Sequence, residues 1–314
     1  MRYLVTGGAG FLGSNLCRRL LEDGCSVLCL DDLSTGRHRN ISELEDNPNF
    51  EFVNHDLTKS FFPDHLDGIY NLACPASPVH YQYNPIRTLK MGTLAIYNVL
   101  GMAAKNKIPI LQASTSEIYG DPLVHPQVES YWGNVNIIGP RACYDEGKRV
   151  AESLCIAYRD HSGVSIRIAR IFNTYGPFMF ADDGRVISNL ISQAISGRPM
   201  TVYGDGTQTR SFCYVDDLIE GLIQLMNSDC QAPVNLGNPD EKAINEIAEI
   251  ISGLVNVDCT IEYFPLPVDD PVRRCPDISR ARQTIGWEPK IALNTGIRNT
   301  IDWFVTNQNE TKSD

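Results

Sequence analysis

The first 22 residues constrain the fold of this chain more than any other stretch. An apolar run at residues 2–6 is followed by the glycine-rich segment GGAGFLG at 7–13, and then by leucines at helical spacing. This order predicts a buried strand, a tight turn and a helix. Gly7 and Gly10 allow the turn and the close approach of a pyrophosphate, and Gly13 allows the helix to pack on the strand. The glycine spacing is GxxGxxG rather than GxGxxG, but its structural context is the one that dinucleotide binding requires.

The residue that ends the second predicted strand indicates which dinucleotide would bind. Residues 26–30 are apolar, and Asp31 follows 18 residues after Gly13. A carboxylate at this position binds the ribose hydroxyls of NAD and repels the 2′-phosphate of NADP. Arg37 could serve a 2′-phosphate, but we expect Asp31 to dominate. NAD is therefore the predicted cofactor. The alternative is that Asp31 only ends the strand and does not bind a cofactor.

Alternating strands and helices continue for the first 175 residues. Strands are predicted at 50–53, 68–73, 108–111 and 164–171, and helices at 84–105 and 141–160. This alternation predicts an α/β fold with a Rossmann-type, doubly wound parallel sheet. In the first of these helices, Leu89, Ile96, Val99 and Leu100 are expected to face the core.

Glycines and prolines become frequent after residue 175, and the alternation stops. We therefore predict an NAD-binding domain at 1–175 and a second, smaller domain at 176–314. A strand near 233–237 is expected to return to the main sheet, and 244–254 to form a helix. The polar end after Val305 is expected to fray.

Tyr144 and Lys148 are the strongest candidates for catalysis. They are four residues apart, so on a helix they share one face. An ammonium near a phenol favours the phenolate, and this lowers the pKa of a potential general base for an alcohol. Thr115 is expected at the carboxyl end of a strand, where its hydroxyl could bind the substrate oxygen or satisfy local backbone. Glu117 lies in the same loop, where it could act as an acid or remain a solvated carboxylate.

Charge and cysteine content narrow the classes of partner. The chain has 27 basic and 38 acidic residues and a net charge of −11, which argues against nucleic acid and acidic membrane surfaces. No apolar run has membrane-spanning length, and we expect no signal peptide, because the first strand starts at once. The ten cysteines form no paired metal-binding pattern, so we predict reduced thiols in a cytoplasmic protein without a metal site.

Several motifs together carry a resemblance to a known family. They are Pro75-Ala76-Ser77-Pro78 with Tyr81, Asn84-Pro85, Thr88-Leu89-Lys90, Ala113 to Glu117, Tyr131-Trp132-Gly133, Gly139 to Arg149, Asp183-Gly184-Arg185-Val186, and Arg274 before Pro276-Asp277. With the glycine turn and Asp31, they resemble the extended short-chain dehydrogenase/reductase superfamily over nearly the whole chain. Within it, the sequence is similar to the UDP-glucuronate decarboxylase family.

This resemblance implies a reaction and the roles of several residues. The implied reaction converts UDP-glucuronate to UDP-xylose through a 4-keto intermediate, with NAD recycled in the site. Tyr144 would take the C4 hydroxyl proton, and Thr115 and Tyr144 would stabilise the developing oxyanion. Glu117 and Arg274 would assist decarboxylation and reprotonation at C5. A homodimer built from the two long helices is also implied, and so is a mainly nucleotide-sugar-binding role for the domain at 176–314.

The predicted contacts form two sets. Those to the cofactor are Gly7, Gly10, Phe11, Leu12, Gly13, Asp31, Asp32, Thr35, Gly36, Asp56, Leu57, Leu72, Tyr144, Lys148, Thr174 and Arg185. Those to the substrate are Tyr81, Lys90, Asn173, Asn189, Tyr203, Gln208, Arg210 and Arg274. Asp56 could reach the adenine amino group or cap its own loop, and the arginines could bind a diphosphate or remain on the surface.

Some departures and rival functions remain. The family usually has Asn at Asp32, Pro at Ile137, and Arg and His at Phe178 and Phe180, and the last two positions border the cofactor. A 4,6-dehydratase would need an acid for the leaving C6 hydroxyl, whereas this chain has Ser116 before Glu117. The two further rival functions are those of a 4-epimerase and of a non-catalytic NAD-binding regulatory protein.

Overall fold

The computed structural model describes residues 1–181, 183–257, 259–271 and 273–307. Its strands are β1 (Arg2–Thr6), β2 (Ser26–Asp31), β3 (Phe50–Asn54), β4 (Gly68–Asn71), β5 (Ile110–Thr115), β6 (Ile166–Ile171), β7 (Thr174–Tyr175), β8 (Met200–Tyr203), β9 (Thr209–Ser211), β10 (Cys213–Tyr214), β11 (Pro233–Leu236), β12 (Glu241–Ala243), β13 (Ile261–Phe264) and β14 (Arg273–Arg274). Its helices are α1 (Phe11–Glu22), α2 (Pro78–Tyr83), α3 (Pro85–Lys90), α4 (Ile96–Asn106), α5 (Ala142–Ser162), α6 (Val186–Ile195), α7 (Val215–Met226), α8 (Ile244–Val255), α9 (Ser279–Ile285) and α10 (Leu293–Thr306). Most of the polar tail predicted to fray lies outside the described residues.

Seven parallel strands form the central sheet in the order β3-β2-β1-β4-β5-β6-β11. The order reverses direction between β1 and β4, which creates a crevice at the carboxyl ends of these strands. This confirms the predicted Rossmann-type α/β fold. At one edge, β11 pairs with β6 across residues 233–236.

Helices cover both faces of the sheet, so its central strands are buried on both sides. Alternate residues of β1 belong to two separate cores: Tyr3 and Val5 pack on the side of α1 and α7, whereas Leu4 packs on the side of α4 and α5. Such two-sided burial explains why these strands read as continuous apolar runs rather than as alternating patterns.

The long helix predicted at 84–105 is interrupted. After α3, residues Met91–Ala95 form a π-helical turn before α4 begins. Ile96, Val99 and Leu100 are buried as expected, but Leu89 is 41% exposed. The expectation for Leu89 was wrong because a wider turn rotates the residues before it away from the face that follows.

The second half of the chain adds small sheets beside the crevice. β8 pairs with β13, and β9 lies between β12 and β14. In the parallel pair of β9 and β14, Arg210 lies opposite Arg274. The division into two domains near residue 175 stays a prediction. Within the described ranges, no helix combines the length and apolar character needed to span a bilayer.

Candidate active site

A cavity of about 580 Å³ lies at the carboxyl ends of the central strands, between the sheet and the added segments. Its wall contains most of the residues singled out from the sequence. They are Gly7, Gly10, Phe11, Leu12, Gly13, Asp31, Asp32, Thr35, Gly36, Leu57, Leu72, Thr115, Glu117, Tyr144, Lys148, Asn173, Thr174, Arg185, Asn189, Tyr203, Gln208, Arg210 and Arg274. Residues far apart in the chain therefore meet in one cavity.

Three predicted contacts are not part of the cavity wall. The Asp56 carboxylate accepts hydrogen bonds from the Thr58 backbone N–H and hydroxyl at 2.9 and 2.8 Å, so it caps its own loop. Tyr81 is buried behind the wall, and Lys90 is exposed at the end of α3. In this structure none of the three faces the space where a ligand would bind.

The glycine turn is shaped to receive an anionic group. Gly7 has a φ of +67°, and a Cβ on Gly13 would lie 2.1 Å from the Gly7 carbonyl oxygen. The N-cap of α1 is Gly10, and no side chain caps this helix end. The first-turn N–H groups and the positive end of the helix dipole therefore face the cavity, as in sites that bind a pyrophosphate.

Asp31 lies where it can recognise a ribose. Its carboxylate accepts hydrogen bonds from the backbone N–H of Ala9 at 3.1 Å and of Leu33 at 2.8 Å. Burial raises the pKa of this carboxyl, and these backbone donors oppose that rise. Gly36 packs so closely that a Cβ there would lie 2.7 Å from an Asp31 oxygen. The adjacent Asp32 forms an ion pair with Arg87. These residues fit a dinucleotide.

We expect Asp31→Asn to weaken NAD binding and to relax the discrimination against NADP, each by about tenfold. The substitution keeps the size of the side chain but removes the charge that would repel a 2′-phosphate. Titration of the protein with both dinucleotides checks this, with the exposed Asp46→Asn as the matched control. An unchanged NAD-to-NADP preference would contradict the ribose role.

Tyr144 is buried against the cavity wall. It is 5% exposed, and its ring stacks on Tyr81 with centroids 5.0 Å apart and planes 7° apart. The Nζ atom of Lys148 lies 5.8 Å from the Tyr144 ring centroid and donates a hydrogen bond to the Ala113 carbonyl at 2.8 Å. A hydrogen bond also joins the hydroxyls of Tyr144 and Thr115.

The sequence led us to expect a lowered pKa for Tyr144, and this was wrong for the protein alone. Burial raises the pKa of the phenol, and the nearby Cys74 adds to the rise. The bond with Thr115 opposes the rise but does not reverse it. The ammonium of Lys148 is directed at a backbone carbonyl, so its charge is partly engaged elsewhere.

Glu117 is held between two arginines. Arg274 binds it with two hydrogen bonds of 2.6 and 2.8 Å, and Arg141 adds a third of 2.5 Å. Burial acts to raise the pKa of Glu117, but the two guanidinium groups outweigh it and hold the pKa at about 2. Glu117 is therefore ionised at neutral pH, and it is not a solvated loop carboxylate.

Asp270 connects this cluster to Arg210. Its carboxylate binds Arg210 at 2.8 Å and Arg141 at 3.3 Å. Burial lowers the pKa of Arg210 to about 10, against the effect of Asp270. Sequence reasoning assigned no role to Arg141 or Asp270. Arg141 precedes Tyr144 by three residues, and this helical spacing was the available signal.

The two phenylalanines at atypical positions both line the cavity. The guanidinium of Arg18 lies 3.7 Å from the centroid of Phe178, and that of Arg37 lies 3.3 Å from the centroid of Phe180. Arg37 is therefore engaged by an aromatic ring. An effect of these rings on cofactor retention stays a prediction.

The sequence and the fold of this chain are similar to those of known proteins. The model of the family described as "NAD dependent epimerase/dehydratase family" matches residues 3–237 of this chain. The chain belongs to this family. Its cofactor is NAD, in agreement with the glycine turn and Asp31.

Relatives and solved structures add detail. The chain is 51% identical to UDP-glucuronic acid decarboxylase 1 of Arabidopsis thaliana over 99% of its length and 72% of the relative's. It is 53% identical to UDP-glucuronic acid decarboxylase 1 of Danio rerio over 96% of its length and 72% of the relative's. A crystal structure of UDP-glucuronic acid 4-epimerase from Bacillus cereus, in complex with UDP-glucuronic acid and NAD, superposes with a TM-score of 0.87, 26% identity and coverage of 98% and 99% of the two chains.

Proposed function

We propose that this protein is a UDP-glucuronate decarboxylase that forms UDP-xylose and carbon dioxide. The observation that carries the proposal is the position of the Glu117–Arg274 pair beside Thr115 and Tyr144 in one cavity. Oxidation at C4 places a ketone β to the C6 carboxylate. When the C5–C6 bond breaks and carbon dioxide leaves, the electron pair that remains on C5 can delocalise onto the C4 oxygen. The relatives named UDP-glucuronic acid decarboxylase support this assignment.

The residues of the chain divide the work as follows. Tyr144 removes the proton of the C4 hydroxyl, and the hydroxyls of Thr115 and Tyr144 then stabilise the developing C4 oxyanion. A bound NAD would supply the hydride transfer chemistry at C4, and the glycine turn and Asp31 would hold it. Arg274 attracts the substrate carboxylate. A substrate with a neutral hydroxyl at C6 would not need such an arginine.

Glu117 has a different part in this scheme. Because the two arginines keep it ionised, it is an acceptor of hydrogen bonds at neutral pH and a poor direct acid. We propose that it orients a proton-bearing group, such as water, toward C5. Asn173, Asn189, Tyr203, Gln208 and Arg210 are proposed contacts of the uridine diphosphate or sugar, since all of them line the cavity.

NMR of the purified protein with UDP-glucuronate and catalytic NAD tests the function. UDP-xylose and carbon dioxide should appear without net NADH. A UDP-4-keto-pentose with stoichiometric NADH would indicate a leaky return step. Inversion at C4 with the carboxylate retained would favour a 4-epimerase, and turnover of UDP-glucose or dTDP-glucose by loss of water would favour a 4,6-dehydratase.

We further propose that the protein is a homodimer. Exposed apolar side chains lie along helices α2 to α5. They include Tyr83, Ile86, Leu89, Leu94, Tyr97 and Val150, which are between 40% and 91% exposed. The helices α3 and α4, which carry Ile86, Leu89 and Tyr97, pack on α5, and exposed apolar side chains grouped on neighbouring elements are typical of protein interfaces. We also place the protein in the cytoplasm, because its ten cysteines are thiols, most of them buried.

We expect the double substitution Leu94→Glu and Tyr97→Glu to convert the dimer to a monomer, because two charges would be buried on each side of the interface. Light scattering after size-exclusion chromatography measures the mass. Val305→Glu, which changes another exposed apolar residue on α10, should leave the mass unchanged. A wild-type monomer, or a doubly substituted dimer, would contradict this interface.

A further inference from the structure

The last three residues of β5 contact one face of α5 at three successive helical turns. Thr115 is hydrogen-bonded to Tyr144, the Ala113 carbonyl accepts a hydrogen bond from Lys148 at 2.8 Å, and the Ser114 hydroxyl donates one to Glu152 at 2.5 Å. On the helix, the three α5 residues are spaced i, i+4 and i+8, so they lie on one face. The third contact involves no residue that the reaction itself uses.

Glu152 is fixed by a second element, the strand β6. Arg170 donates two hydrogen bonds to its carboxylate, at 3.0 and 2.8 Å. The same guanidinium donates to the Tyr119 hydroxyl at 3.0 Å and to the Glu129 carbonyl at 2.8 Å. The side chains of Arg170 and Glu152 are only 10% and 12% exposed. Bidentate, buried pairs of this kind hold their geometry closely.

We propose that Glu152, held by Arg170, is a positioning residue for the reaction. It locks the end of β5 against α5, so that the Thr115 hydroxyl stays in register with Tyr144 and the Ala113 carbonyl stays in register with Lys148. The ion pair is neutral as a whole. The Glu152 carboxylate therefore accepts the Ser114 hydrogen bond, while Arg170 balances its charge so that the pair adds no net charge. This inference rests on the proposed function, because it assumes that Tyr144 is the base.

Several other groups contribute to the electrostatic field at Tyr144, and the substitutions described below leave them in place. The groups that act on Tyr144 are Lys148 on α5, Tyr81 on α2, Cys74 after β4, Thr115 at the end of β5, Glu117 after it and Arg185 before α6. The next residue on α5, Asp145, is a further buried acid. The groups near the ion pair are Tyr119, Glu129, Cys155 and Lys148. Glu152 and the Lys148 ammonium act on the pKa of the Cys155 thiol in opposite directions, Glu152 raising it and Lys148 lowering it.

Two substitutions separate the charge from the packing. Glu152→Gln retains a hydrogen-bond acceptor for Ser114 but leaves the positive charge of Arg170 unbalanced. Arg170→Met leaves the negative charge of Glu152 unbalanced. Eight residues of helix separate Glu152 from Tyr144 by about 12 Å. One uncompensated charge at this distance shifts a pKa by about one pH unit.

The experiment is the pH dependence of kcat for UDP-glucuronate turnover by the NAD-loaded protein. In the acid limb of this profile, kcat rises as the base loses its proton. In Glu152→Gln this limb should move to a pH about one unit lower. It should move up by about one unit in Arg170→Met and return close to wild type in the double variant. Ser114→Ala should lower kcat by about tenfold without moving the limb, because it loosens the register but changes no charge.

The outcomes distinguish this inference from its premise. Structural damage alone would not move the limb in opposite directions, so shifts of the same sign, or none, overturn the inference. A normal kcat in Ser114→Ala also overturns it, whatever the limb does, because the register would then not depend on the contact with Glu152. If Arg170→Met does not fold, either an unmoved limb in Glu152→Gln or a normal kcat in Ser114→Ala still overturns it. Wild-type protein that does not convert UDP-glucuronate overturns the proposed function instead.

Discussion

Tyr144→Phe should lower kcat by about 10²- to 10⁴-fold while NAD binding is retained. The phenylalanine ring can keep the stack on Tyr81, whose centroid lies 5.0 Å from that of Tyr144. The substitution removes the group that takes the C4 hydroxyl proton and the bond with Thr115. Turnover of UDP-glucuronate followed by NMR measures the loss, and titration with NAD measures cofactor affinity.

Tyr3→Phe is the matched control for this experiment. The Tyr3 hydroxyl donates to the Met1 sulfur at 2.9 Å, on the amino-terminal strand and away from the residues that line the cavity. Removing it should leave kcat unchanged. If the turnover of Tyr144→Phe is within a few-fold of wild type, then Tyr144 is not the base, and the proposed mechanism fails.

The fold could be predicted because its signals are local. The strand, turn and helix at 2–22 are recognisable from neighbouring residues alone. Gly7 has a positive φ, a backbone conformation that glycine adopts readily. The alternation that follows specifies a parallel sheet, and the carboxyl ends of its strands place Asp31 and Thr115 at the same edge. Thus one part of the site follows from the fold itself.

Other features depend on details that spacing does not report. Leu89 fits the apolar periodicity of a regular helix, but a π-helical turn lies between it and Ile96. The pKa of Tyr144 depends on burial and on where the Lys148 ammonium points. The sequence shows that the two residues share a face, but not that Lys148 donates to Ala113.

The ion cluster was the least predictable part. Glu117 and Arg274 are separated by 157 residues, and only the resemblance linked them. They meet because β14 pairs with β9 in the added segments while Glu117 follows the end of β5. Arg141 is the third member of the cluster and donates to Glu117. Its helical spacing from Tyr144 permits this side-chain direction but does not require it.

Arg274→Ala should lower kcat by about 10²- to 10³-fold and weaken UDP-glucuronate binding more than UDP binding. Arg274 supplies two of the three hydrogen bonds from guanidinium groups to Glu117. Without it, Glu117 loses its bidentate partner, and the substrate carboxylate loses its proposed attraction. Calorimetric titration with UDP and with UDP-glucuronate compares the two affinities.

Arg273→Ala is the control for the Arg274 experiment, because Arg273 is an exposed neighbour on the same short strand. It should change neither affinity. An equal loss of UDP and UDP-glucuronate binding in Arg274→Ala would assign Arg274 to the diphosphate. In that case Arg141, the other guanidinium on Glu117, would be the remaining candidate for recognition of the substrate carboxylate. The pair of titrations therefore decides which part of the substrate the buried arginines select.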